Sequence, residues 1–213
     1  MGSSKLSQNV FVSNHPFVID SLTHLRNQLT SLSEFRRYSD QLCRLLFAEA
    51  IRGLAFKPVK IETPLKKISA QKLADEIVIV PVLRSGTAML FGAMQLLPKS
   101  KIGFVGLERD EETAVAREYY WKLPPISKNS VVMVVDPMLA TGGSILHLLK
   151  KVALEKPKEM RVVSVISAPE GIKLIHQNFP QVKIFTAAVD DHLNDKKFIV
   201  PGLGDYGDRY FGT

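Results

Sequence analysis

The chain has 213 residues, 46% of them hydrophobic and 23% charged, enough to bury the core of one α/β domain (1–213) and cramped for two. Its apolar runs stop short of the ~20 residues a bilayer span needs, and its polar start lacks a secretory core, so a cytoplasmic protein with no membrane partner is expected. One cysteine excludes an internal disulfide framework and a cysteine-cluster zinc site; a net charge of +7 scattered without a Lys/Arg tract argues against nucleic acid and suits polyanionic small substrates.

Residues 1–15 are polar and expected to be mobile or pinned to a partner subunit. Leu22, Leu25, Leu29 and Leu32 then recur at helical spacing, as do Phe35, Tyr38, Leu42, Leu45, Leu46 and Ile51 before Gly53. Two amphipathic helices should therefore precede the sheet. Cys43 sits on the apolar face of the second, where a buried structural thiol is expected rather than a nucleophile.

Apolar runs at 76–82, 102–107, 131–135, 161–166 and 182–188 alternate with helical patterns, which implies a mainly parallel sheet flanked by helices. In such a sheet ligands gather beyond the carboxyl ends of the strands. The residues there are unusual: Leu83-Arg84-Ser85-Gly86, Glu108-Arg109-Asp110, Asp136 with the turn behind it, and Ala168-Pro169-Glu170-Gly171. Arg84 and Arg109 follow consecutive strands and offer guanidinium forks that fit phosphate oxygens. The stretch 108–130 is charged, then aromatic and proline-containing, and reads as an excursion from the sheet: either a hairpin flap that excludes water or a dimer-contact arm.

The most informative stretch is 131–144, where the apolar run ends in Asp136-Pro137-Met138-Leu139-Ala140 and then Thr141-Gly142-Gly143-Ser144. A helical pattern follows, so the turn lies at a helix N-terminus, where unpaired N–H groups and the helix dipole favour an anion. Thr141 and Ser144 add hydroxyls and the glycines let a ligand approach the backbone. Asp136 repels that anion but suits hydroxyl donors, so the pair points to a sugar phosphate. Neither the Walker pattern nor the dinucleotide fingerprint occurs around the turn.

The final segment 198–213 is too rich in apolar, aromatic and glycine residues to be disordered and should pack on the core. It contains Ile199-Val200-Pro201-Gly202-Leu203-Gly204-Asp205 and Gly207-Asp208-Arg209-Tyr210-Phe211-Gly212-Thr213.

Together, the turn from Asp136 to Ser144, the Arg84 loop and this ending resemble the uracil phosphoribosyltransferases, a branch of the type I phosphoribosyltransferases. His15-Pro16, Phe35-Arg36, Glu118-Tyr119-Tyr120 and Ala168-Pro169-Glu170-Gly171 extend the similarity over nearly the whole chain. The resemblance implies a type I phosphoribosyltransferase fold and transfer from 5-phospho-α-D-ribose 1-diphosphate (PRPP) to uracil, giving UMP, with Mg²⁺ as cofactor. It further implies PRPP binding by Arg84, Arg109, Asp205 and the run Asp136, Pro137, Met138, Leu139, Ala140, Thr141, Gly142, Gly143 and Ser144. Asp136, Arg84 and Asp205 become the catalytic candidates, with Asp205 reaching the metal through water and no direct protein ligand.

The same resemblance assigns uracil to Ile199, Gly204, Asp205 and Tyr206, largely through main-chain groups, which match the imide edge of uracil and mismatch the amino group of cytosine. A homodimer or homotetramer and a GTP effector are also implied. Ser85 and Tyr206 depart from the family pattern, which usually has alanine at the first position and in bacterial relatives often at the second. The rival readings are a nucleotide sensor that regulates RNA and a phosphoribosyltransferase for another base, the latter motivated by Tyr206.

Overall fold

In the computed structural model, which describes residues 8–109 and 116–213, the elements run in order β1 (Val10–Val12), α1 (Pro16–Arg26), α2 (Leu32–Ala50), β2 (Phe56–Glu62), β3 (Lys67–Leu73), β4 (Glu76–Leu83), α3 (Leu90–Leu96), β5 (Lys101–Ile102), β6 (Phe104–Arg109) and β7 (Ala116–Lys122). They continue with β8 (Ser130–Val135), β9 (Met138–Leu139), α4 (Gly143–Leu154), β10 (Glu159–Ser167), α5 (Pro169–Asn178), β11 (Lys183–Val189), β12 (His192–Leu193), β13 (Ile199–Val200) and α6 (Tyr206–Phe211). A 3-10 turn, Ser85–Met89, leads from β4 into α3.

β8 is buried along its whole length because every side chain from Val131 to Val135 is apolar and both faces of the sheet are covered. Successive residues go to opposite sides. Val131, Met133 and Val135 belong to the apolar layer that also holds α1, α2 and the Ser85–Leu96 segment, whereas Val132 and Val134 belong to the layer with Ile145, Leu148 and Leu149 of α4 and Ile172 of α5. The sheet order is β1-β11-β10-β8-β4-β6-β7, with β5 paired to β4 and β9 to β10. Every pairing in this sheet is parallel except that of β6 with β7. The mainly parallel sheet flanked by helices is therefore as the alternating pattern required.

Two expectations need correction, and a third feature was not foreseen. Residues 8–15 are not loose: Val10–Val12 extend the sheet by pairing with Ile184–Thr186, and His15 caps α1 through its ring nitrogen. The apolar run pairs with an otherwise open edge, which is why a polar-looking start is ordered. Residues 1–7 lie outside the described residues.

Second, Leu29 does not continue the first helical stripe; it is 83% exposed in a turn between α1 and α2. Asn27 accepts from the Leu29 N–H, and Ser31 with Glu34 forms a capping box that starts α2 afresh. Third, β2 and β3 form an antiparallel ribbon that the sequence did not announce. Its apolar alternation is confined to Val59-Lys60-Ile61 and Ile68-Ser69-Ala70, and Pro58 and the Lys72-Leu73 step break the period on either side. The excursion after β6 is a hairpin, with Tyr120 of β7 opposite Gly106 and a bulge beside it; residues 110–115 lie outside the described residues.

Candidate active site

Helix α4 begins without a side-chain cap. Its N-cap, Gly142, has φ 82°, a left-handed conformation that glycine adopts without steric cost, and a Cβ there would lie 3.0 Å from the Gly171 carbonyl oxygen. The turn is therefore wedged against the start of α5, and its first-turn N–H groups face outward from the carboxyl end of β8. The Thr141 hydroxyl accepts weakly from the Gly143 N–H at 3.5 Å. Thr141, Gly143 and Ser144 are partly exposed, whereas Pro137, Leu139 and Gly142 are buried. Leu139 packs into the core between sheet and α4, and the Pro137 carbonyl accepts from Val165 and Ile166 at 3.0 Å each. These two residues thus shape the cradle from beneath, and only their backbone lies near its surface.

Asp136 stands at the end of β8, partly exposed. Its Oδ1 accepts from the Met138 N–H at 3.2 Å and the Ser85 hydroxyl at 3.4 Å. Burial pushes its pKa up to about 6; those two donors work against the rise and the Asp205 carboxylate adds to it. Asp205 is exposed and caps α6, its Oδ1 accepting from the Asp208 N–H at 2.9 Å. Two carboxylates thus face one cleft.

Arg84, at the end of β4, pairs with Asp208 at 3.2 Å, both well exposed. The Leu83–Arg84 peptide is cis. Gly86 is required at its position, since a Cβ would lie 2.6 Å from the Val135 carbonyl oxygen. Around Gly207 the tail lies against Ser85, so the final helix closes over the Arg84 loop. Arg109 ends β6, next to β4 in the sheet; its side chain lies outside the described residues.

The tail is held by arginines. Arg26 forks onto the buried Asp190 carboxylate and also donates to the Gly202 carbonyl at 2.6 Å, while the Gly202 N–H donates to Asp190 at 2.9 Å. Arg209 donates to the Leu203 and Asn27 carbonyls at 2.7 Å each and to that of Leu25. Arg36 donates to the Tyr210 carbonyl at 2.8 Å. Ile199 is buried in the short β12–β13 pair, whereas Gly204 (φ 83°) and Asp205 are exposed. The Tyr206 ring does not enter the cleft. It is fully buried, and its hydroxyl meets Ser39 of α2.

A model of the family described as uracil phosphoribosyltransferase matches residues 12–213. The chain belongs to that family. A uracil phosphoribosyltransferase of Dictyoglomus thermophilum is 45% identical over 96% of this chain and 99% of its own. The structure of the AQ2163 protein from Aquifex aeolicus superposes with a TM-score of 0.91 at 37% identity, covering 96% of this chain and 98% of that one. A hypoxanthine-guanine phosphoribosyltransferase from Bacillus anthracis, 14% identical, shares the fold alone, with a TM-score of 0.50 over 75% of this chain and 80% of its own.

For this member of the uracil phosphoribosyltransferase family, the structure brings Arg84, Asp136 and the Thr141–Ser144 turn to the sheet edge that the strand-end rule selects, and the tail lays Asp205 beside Asp136 there. Sequence reasoning missed the residues that hold them there. Asp190 braces Gly202 across the open end of the β12–β13 pair, and Arg26 reaches Asp190 over a separation of 164 residues. The Ser85–Asp136 hydrogen bond joins two loops 51 residues apart. No local pattern signals such partners, because one depends on helix α1 lying beside the end of β11 and the other on β4 and β8 being neighbours. Cys43 is buried as expected, and burial raises its thiol to about 12, which leaves it inert at neutral pH.

Proposed function

We propose that the protein transfers the phosphoribosyl group of PRPP to uracil, forming UMP and diphosphate. The observation that carries this reading is the convergence of a phosphate cradle, a hydroxyl-accepting carboxylate, a guanidinium and the tail at one carboxyl edge. Uracil N1 bonds to the anomeric carbon while the bond from that carbon to diphosphate oxygen breaks, its electron pair leaving with diphosphate; the N1 proton is lost to solvent. Positive charge gathers on the sugar between the two events.

Each group has one task. The N–H groups and hydroxyls of Thr141–Ser144 bind the 5-phosphate. Asp136 accepts from the ribose hydroxyls and stabilises the cationic sugar electrostatically. Arg84 exchanges Asp208 for the diphosphate, and Arg109 adds a second fork from the next strand. Main-chain groups of Ile199, Gly204, Asp205 and Tyr206 read the imide edge of uracil. Catalysis is then mostly orientation and fixed charge.

Mg²⁺ fits this site as an ion carried by the diphosphate, because Asp136 and Asp205 face the same cleft and one oxygen of Asp205 already caps α6. When bound, it neutralises charge on the leaving diphosphate. Asp205 is the residue to hold it, through water. The β6–β7 hairpin is read as the flap, with its base fixed to α4 by Lys151, which lies over the Trp121 ring at 3.7 Å and donates to Glu118 at 2.7 Å.

Self-association is also part of the reading, since a two-stranded ribbon such as β2–β3, with Phe56 and Leu65 exposed, is marginal alone and suits an interface between copies in a dimer or tetramer. We place the enzyme in the cytoplasm; among the described residues no helix is long and apolar enough to cross a membrane.

The deciding experiment mixes protein, PRPP and Mg²⁺ with uracil, cytosine, hypoxanthine, orotate or no base, with and without GTP, and follows nucleotide formed. UMP from uracil alone supports the assignment, and a rate increase with GTP supports an effector. A different nucleotide sinks the base assignment, and nucleotide binding without turnover favours a sensor.

A further inference from the structure

Tyr206 occupies the first turn of α6, directly after Gly204 and Asp205, the residues read above as facing uracil. Its side chain turns the other way. The ring is fully buried, packs edge-on against Phe35 of α2 with centroids 5.2 Å apart, and lies nearly parallel to Tyr210 with centroids 6.4 Å apart. Its hydroxyl meets the buried Ser39 hydroxyl one turn further along α2. Tyr210 extends the same stack and donates to Asp40 at 2.9 Å.

The 3-10 turn after Arg84 completes the surroundings, with Ser85 against Gly207. A residue at this place has two choices, since its Cβ leaves a backbone that faces both the cleft and the core. Here the apolar wall of α2 and a paired hydroxyl settle it, because an aromatic ring buried with its O–H satisfied is strongly favoured over one in water.

We propose that Tyr206 is a positioning residue for the base. Its ring and hydroxyl fasten the start of α6 to Phe35 and Ser39 of α2, and so fix the main chain of Gly204–Tyr206 without narrowing the base pocket. This rests on the uracil reading of the tail. Gly204 has φ 83° and Asp205 is exposed; Arg209 holds the Leu203 carbonyl on one side of them, and the Tyr206 ring supplies the side-chain anchor into α2 on the other. The consequence is specific: loss of the ring should harm engagement of uracil far more than that of PRPP, and should leave the ranking of bases unchanged.

The test measures steady-state UMP formation over a range of uracil and of Mg-PRPP for wild type, Tyr206→Leu, Tyr206→Ala and Tyr206→Phe, with circular dichroism confirming folding. Tyr206→Leu and Tyr206→Ala should raise the uracil KM about tenfold or more, with the PRPP KM within about twofold. Tyr206→Phe, which keeps the ring, should recover most of that loss. The order of uracil over cytosine should hold in all variants.

An unchanged uracil KM in folded Tyr206→Leu would overturn the proposal, as would equal rises in both KM values, which signal general loosening. A switch of base preference would show that the side chain selects the base directly, and overturns it too. If Tyr206→Ala fails to fold, Tyr206→Leu, which retains apolar volume, decides alone. Absence of UMP formation by wild type would sink the uracil reading itself, whereas wild-type turnover with silent variants sinks only the anchor.

Discussion

Asp136 sits where burial and a second carboxylate both oppose its ionisation, and a pKa of about 6 follows. Folded protein therefore holds this proton to a higher pH than the unfolded chain, whose carboxyl titrates near 3.8. The sign is fixed: between 3.8 and about 6 the folded state binds more protons, so stability contributed here falls as pH rises through that window. Activity moves the opposite way, because only the carboxylate accepts from ribose hydroxyls without a proton of its own. In the wild type, kcat/KM for PRPP should drop about tenfold per pH unit below about 6. Asp136→Asn should lower turnover by about 100-fold and abolish both the acid limb and the stability slope, with the far-ultraviolet spectrum retained. A variant with wild-type rates would remove Asp136 from the chemistry.

At the scale of elements, the α4 start and the α5 start are built against each other. A Cβ on Gly142 meets Gly171, and one on Gly171 would lie 2.4 Å from the Ala140 carbonyl oxygen. The positive φ of Gly142 adds roughly 1–2 kcal/mol of strain for any L side chain. Gly142→Ala should thus lower Tm by about 2–8 °C in thermal unfolding and raise the PRPP KM more than the uracil KM. Equal effects on both substrates would place the cradle's role elsewhere. Legibility differed between elements for a physical reason. β8 and the Thr-Gly-Gly-Ser turn announce themselves because burial on both faces and a helix N-terminus demand particular residues in succession. β2 and β3 do not, because a largely exposed ribbon demands few apolar residues and its alternation is too short to stand out.

Across the whole molecule, a buried cation joins the layers. Arg161 of β10 is fully buried, donates to the Arg52 carbonyl at 3.0 Å and to that of Ala50 at the end of α2, and forks onto Glu159. The Arg161 and Lys183 partners outweigh the burial of Glu159, whose carboxyl lies below its usual range. Arg161→Met leaves those carbonyls without a donor and should cost about 3 kcal/mol. For a chain of this size that corresponds to a Tm lower by about 6–12 °C, with uracil and PRPP KM within about twofold of wild type. A Tm within a degree of wild type would mean that water replaces the guanidinium.

The sequence by itself determined the parallel sheet, the phosphate turn after β8, the Arg84 loop and the family, because each depends on residues close together along the chain. Only the tertiary structure decided that Val10–Val12 complete the sheet edge, that Arg26 and Asp190 brace Gly202, and that the Tyr206 ring faces α2 rather than the cleft. Apart from the Asp190–Gly202 contact, those outcomes turn on which surfaces meet across separations of more than 150 residues, and a pattern read along the chain carries no record of that.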